Sequence, residues 1–178
     1  MSRKPALLLA ALVSLICHNT VFAEDATPSH SLGLTAGWVG GSGVSYRHYF
    51  GDSFVQVSGI ATMNKAENRE HFDAALNYGH YLSFHNLGEG LNPVASKLLF
   101  GIEAEREGEP NDQLSNTEMQ VSHKIYTGLG LGLDIFNPRK QGLVVSLDLY
   151  YAATFIGFGA PEIDRLELLP NAAIRYNF

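Results

Sequence analysis

The chain has 178 residues with 12 basic and 18 acidic side chains, a formal charge of −6, and 46% hydrophobic residues. So acidic a chain is a poor partner for nucleic acid, whose phosphates call for a basic surface. A mean hydropathy of −0.01 is compatible with a membrane barrel, because a barrel strand shows lipid only at every second residue.

The first element reads as an export signal. Arg3 and Lys4 supply the positive start, Ala6–Cys17 the apolar stretch, and Val21-Phe22-Ala23 the small-x-small cleavage pattern, which predicts a mature chain beginning at Glu24. The apolar stretch is shorter than the roughly 20 residues of a membrane helix. Bulky Ile16 before Cys17 argues against lipoprotein processing, so the only cysteine leaves with the signal, as suits an oxidising compartment. Removal of residues 1–23, Arg3 and Lys4 among them, leaves 155 residues with 10 basic and 18 acidic groups, a net charge of −8, enough for one domain. Glu24–His30 reads as a short disordered lead.

Eight strand-like segments follow, each with apolar residues at alternate positions and bounded by turn chemistry. The first covers Ser31–Trp38 (Leu32, Leu34, Ala36 and Trp38 on one face) and ends at Gly40–Gly43. The second covers Val44–Phe50, with Ser45, Arg47 and Tyr49 together, and turns at Gly51-Asp52-Ser53. The third, Phe54–Met63, sets Val55, Val57, Ala61 and Met63 against Gln56, Ser58 and Thr62; the polar loop Asn64–Glu70 follows. The fourth, His71–Leu82, sets Phe72, Ala74, Leu76, Tyr78 and Leu82 against Asp73, Asn77 and Tyr81. Ser83–Ser96 is the longest expected connection. The fifth, Lys97–Glu107, opposes Leu98, Phe100, Ile102 and Ala104 to Lys97, Glu103 and Glu105, before an acidic loop at Glu107–Asn116. The sixth, Thr117–Phe136, opposes Val121, Ile125, Leu129, Leu131, Leu133 and Ile135 to Gln120, Lys124, Gly128, Gly130 and Gly132. After a turn at Asn137–Gln141, the seventh, Gly142–Ile156, opposes Leu143, Val145, Leu147, Leu149 and Tyr151 to Ser146, Asp148 and Tyr150. Gly157–Asp164 leads to the eighth, Arg165–Phe178.

Open sheet edges in lipid strand backbone N–H and C=O groups, and only closure removes that cost. The pattern therefore predicts an all-β fold: an antiparallel up-and-down transmembrane β-barrel of eight strands over residues 31–178. A ten-stranded barrel follows if Ser83–Ser96 hides a hairpin. Aromatics near strand ends (Trp38, Phe50, Phe54, Phe72, Phe100, Phe136, Phe155, Tyr176 and Phe178) read as interfacial girdles, which turns the apolar face outward. The glycines at 128, 130 and 132 leave room in a narrow lumen.

The closing strand ends in Ile174-x-Tyr176-x-Phe178. With the eight-strand pattern over about Ser31–Phe178, this terminal triad resembles the small eight-stranded outer-membrane proteins of Gram-negative bacteria, the broad OmpA-like and OmpX-like group. The resemblance implies an outer-membrane location and both termini on the periplasmic side. It also implies Ile174, Tyr176 and Phe178 as the signal for the barrel-assembly machinery. The partners it implies are outer-membrane lipid and lipopolysaccharide, around a monomer with no cofactor.

Candidate chemistry lies on the polar face. Arg47, Asp73, Lys97, Glu103, Glu105, Lys124, Asp148, Glu167 and Arg175 point into a lumen just wide enough for side chains, where charges must pair. This favours a filled, non-enzymatic interior with a structural or surface-interaction role, with a narrow ion path as its variant. The first alternative is a lipid-A- or phospholipid-modifying enzyme, for which His71 and Asp73, near Ser58 or Thr62, form the best cluster. Ser122 and His123 are strand neighbours on opposite faces, and Ser83 and His85 sit at the periplasmic end. The second alternative is a soluble lipocalin-like binder with its apolar face inward. No metal site is expected. The Glu103, Glu105 and Glu107 stripe reads as pairing with Lys97, Lys124 or Arg47.

Overall fold

The computed structural model describes residues 28–64, 69–85, 93–110, 119–136, 138–156 and 162–178. The expected signal and residues 24–27 of the lead lie outside them. Pro28–His30, read as disordered, are held in place: the Ser29 carbonyl accepts from the Tyr49 amide at 2.8 Å, and His30 opens the first strand.

The strands are β1 (His30–Gly37), β2 (Gly43–Phe50), β3 (Ser53–Asn64), β4 (Arg69–His85), β5 (Val94–Pro110), β6 (Met119–Ile135), β7 (Gly142–Ile156) and β8 (Glu162–Asn177). Each pairs antiparallel with its sequence neighbours, and β8 pairs with β1, so the sheet closes as an eight-stranded up-and-down barrel. The start of β1 and the end of β8 meet at one rim, here the lower rim, where the His30 and Phe178 backbones hydrogen-bond to each other.

Three expected loops are shorter than their composition suggests. Ser83–Ser96 is not a free connection: Ser83 pairs with Ser96 and His85 with Val94. β4 and β5 are neighbours in the closed sheet, and among the described residues no further strand lies between them. Strand pairing likewise extends to Asn64 and Arg69, and to Pro110 and Met119. These polar ends lack an apolar period, yet their backbones still ladder because the upper wall projects beyond the apolar belt. Register shifts at Tyr81/Ser83 and Thr154/Phe155 bend the wall without changing the strand count.

The polarity is inverted relative to a soluble barrel. Large apolar side chains such as Val57, Leu76, Phe100, Leu131 (62% exposed), Leu149 and Ile174 face outward, while Arg47, Asp73, Lys97, Glu103, Asp134, Asp148 and Arg175 are buried. Phe54 is a correction: expected in an outer girdle, it is fully buried. By parity it shares the face of Gln56 and Ser58, and its ring lies 3.8 Å beneath the Arg47 guanidinium, where the cation–π attraction is strongest away from water.

Glycine makes room for this ring. A Cβ on Gly79 would overlap the Phe54 ring, whereas one on Gly51, at φ +61°, would meet open space. Gly79→Ala is expected to cost about 1–3 kcal/mol through overpacking, read as a lower urea midpoint of the folded barrel. Gly51→Asn, which keeps a residue tolerant of positive φ, is the near-neutral control.

Candidate functional site

The lumen is filled in two tiers. The lower tier centres on Asp134, contributed by β6. It accepts from Arg47 at 3.0 Å, Tyr81 at 2.6 Å, Lys97 at 2.5 Å and Ser146 at 2.6 Å. Lys97 also lies 2.8 Å from Asp148, and Gly132 leaves that pair the space a Cβ would take. Arg175 donates to Ser146 at 2.6 Å and to Gln56 at 2.7 Å; Gln56 also accepts from Arg47 at 3.1 Å. The tier thus sets three cations against two carboxylates in a space closed to water, where pairing is obligatory.

The upper tier is a plug. The turn between β1 and β2 folds into the lumen instead of outward, burying Val39 completely. The Gly41 amide donates to Glu103 at 2.9 Å and the Ser42 amide to Asp73 at 2.9 Å. Ser58 donates to the Gly40 carbonyl at 2.6 Å. Gly41 adopts φ +74° and packs on Ser58 and Ala75, a tight approach that suits glycine. Two carboxylates, two amides and a hydroxyl thus hold the turn down.

Above the plug the mouth is acidic. Lys124 reaches Glu107 at 3.1 Å and Glu105 at 3.6 Å. Tyr126 donates to Glu105 at 2.8 Å, and His71 lies 3.8 Å from both Glu105 and Glu107. The ligand atoms of His71, Glu105 and Glu107 fall within 4.8 Å of one another, and the Lys124 ammonium pairs with both of these carboxylates. Glu167 lies 4.0 Å from Arg165 at the same rim.

The structure therefore splits the nine expected lumen charges. Arg47, Lys97, Asp148 and Arg175 join the lower tier, Asp73 and Glu103 hold the plug, and Glu105, Lys124 and Glu167 line the mouth. Glu103 pairs with a backbone amide, not with Lys97 or Arg47. Asp134, the hub of the lower tier, was missed, although its even parity with Gly128, Gly130 and Gly132 in β6 puts it on the inner face. Ser58, considered as a partner for His71 and Asp73, is committed to the plug, and His71 turns toward two carboxylates. Ser83 and His85 do meet, at 2.8 Å, but at the lower rim; among the described residues no carboxylate stands within ion-pair distance of His85 to orient it. Ile174 and Phe178 face outward and Tyr176 is half-buried.

Structural comparison aligns 84% of the chain with 95% of the N-terminal β-barrel domain of Pseudomonas aeruginosa OprF, at 11% identity and a TM-score of 0.47. No protein-family model and no curated protein matches the chain.

Proposed function

We propose that the chain is a non-enzymatic, monomeric outer-membrane β-barrel with a filled lumen, serving a structural or surface-interaction role in the cell envelope. The observation that carries this reading is the inverted polarity: a continuous outer belt of leucine, isoleucine, valine and aromatic side chains around an interior of paired charges. Water is the wrong solvent for that belt and hydrocarbon the right one. The acidic mouth and the taller strand ends then belong to the exterior, and the lower rim, with the start of β1 and the end of β8, to the periplasm. His30, Tyr46, His48 and Phe178 stack together at that rim, as amphipathic rings do at a headgroup boundary. The filled lower tier and the plug argue against an ion path. For the enzyme alternative, the hydroxyl opposite His71 across the β3–β4 ladder is Thr62, while the His71 ring lies toward Glu105 and Glu107.

The test is the gel mobility of the outer-membrane fraction in detergent with and without boiling. A heat-dependent shift in that fraction is expected, since every strand is paired around the ring. Recovery in the soluble periplasm with no shift would overturn the reading. Lipid A mass spectra changed by deleting the gene would revive the enzyme alternative, with His71 and Asp73 the first residues to replace.

A further inference from the structure

The barrel wall is not equally tall all round. β1 pairs with β8 only from Ser31–Gly37 against Asn177–Asn171, yet β8 continues up to Glu162. β2 pairs with β3 no further than Gly59, yet β3 continues to Asn64. Above the β1–β2 tip, the facing edges of β8 (Glu162–Pro170) and β3 (Ile60–Met63) have no strand between them among the described residues. The stagger of an eight-stranded barrel accounts for about one residue per strand pair, far less than this step. At about 3.3 Å per residue and a tilt near 40°, the free β8 edge rises roughly 20 Å. Pro170 stands at its foot, where a missing N–H costs no ladder bond.

The lower part of this gap, from Pro170 up to Leu166, lies within the lipid-facing belt, and its upper part, from Arg165 to Glu162, reaches the charged mouth. Outward Leu166 and Leu168 on β8 and Met63 on β3 carry the exposed apolar surface past the tip, and Trp38 sits on the tip itself, 46% exposed. Free edge amides facing hydrocarbon need a polar partner. Behind the gap lies a half-open cavity of about 460 Å³, with Trp38, Leu168 and Pro170 on the gap side, Tyr126 and Thr154 on the inner side, and the charges of Lys124, Asp164, Arg165 and Glu167 around it. Thr154 is 4% exposed and its hydroxyl has no hydrogen-bond partner. An occupant must therefore be apolar toward Leu168, hydrogen-bonding toward the edges and Thr154, and supplied from the membrane. A lipid meets all three conditions. An added protein strand would satisfy the edges and leave the cavity unfilled.

We infer that the gap is a lateral binding site for an outer-leaflet lipid, its ester- or amide-bearing polar part in the cavity at Thr154 and its acyl chain leaving between Trp38 and Leu168. The inference rests on the membrane reading above. It deepens that reading by assigning a ligand class to one place on the wall.

Trp38 is the only tryptophan in the chain and reports on the gap directly. The full-length folded protein in detergent micelles is titrated with phosphatidylethanolamine carrying brominated acyl chains, and Trp38 fluorescence is followed. Quenching that saturates near one lipid per barrel is expected. Thr154→Phe, which fills the cavity, should weaken it at least tenfold. Thr154→Val, which keeps the shape and removes the hydroxyl, should weaken it severalfold. Displacement of the probe by lipid A would identify lipid A as the source of the ligand, and failure to displace it would identify phospholipid. Quenching that rises linearly with the lipid-to-detergent ratio, unchanged in both variants, overturns the site. The heat-dependent gel shift is run on the same samples. Its presence with linear quenching removes the lipid site alone, whereas its absence removes the membrane reading.

Discussion

The Asp134→Ala barrel is expected to lose about 3–5 kcal/mol of stability, the cost of leaving buried charges without their partner. Asp134 is fully buried and is the one carboxylate that touches both Arg47 and Lys97. Its removal leaves three cations facing Asp148 alone, with Tyr81 and Ser146 also losing their acceptor. Urea unfolding of the refolded protein, followed by loss of the heat-dependent gel shift, measures the effect. Asp52→Ala is the matched control. Asp52 pairs with Arg139 where both side chains are about half exposed, and such pairs contribute at most about 1 kcal/mol. Equal losses in the two variants would mean that the lumen is wet and that the lower tier does not close it.

Leu131→Arg is expected to cost about 2–4 kcal/mol in a bilayer, the penalty for a cation on the lipid face near the midplane. Leu131 is 62% exposed and is the middle one of three outward leucines, with Leu129 and Leu133, in the apolar half of β6. In a water-soluble barrel the same exposed substitution would be nearly neutral, within about 0.5 kcal/mol. Folding yield into lipid vesicles, read as the heat-shifted fraction, separates the two cases. A neutral result would remove the outer belt as evidence for the membrane.

The period-two pattern was enough to read eight strands and to sort each strand's residues into two faces. Which face is the outer one had to come from the aromatics near the strand ends, and a ninth and tenth strand within Ser83–Ser96 stayed open until the pairing of β4 with β5 was seen. Parity also held what was overlooked. Asp134 continues the series of Gly128, Gly130 and Gly132, and Phe54 continues that of Gln56 and Ser58, so both were legible as inward residues. Judging Phe54 by its position near a strand end, not by its parity, misplaced it. Other features left no local trace. Hairpins at the polar ends of β4–β6 ladder through backbone bonds that side-chain chemistry does not announce. The inward fold of Val39–Ser42 depends on Asp73 and Glu103, residues 31 and 62 positions away. The gap above the β1–β2 tip comes from unequal strand lengths, which composition resolves poorly at polar strand ends.

The lower rim is tied together from turn to turn. Arg139, in the turn before β7, pairs with Asp52 in the turn before β3 and lays its guanidinium 3.9 Å over the Phe84 ring near the end of β4. The Asp52 carbonyl accepts from Tyr81 at 2.8 Å, and Asn177 donates to the carbonyls of Pro138 and Lys140 at 3.0 and 3.3 Å. An inserted segment in either of those turns would have to break this clasp before it could leave the barrel. Insertions and length variation in these two turns should therefore be poorly tolerated.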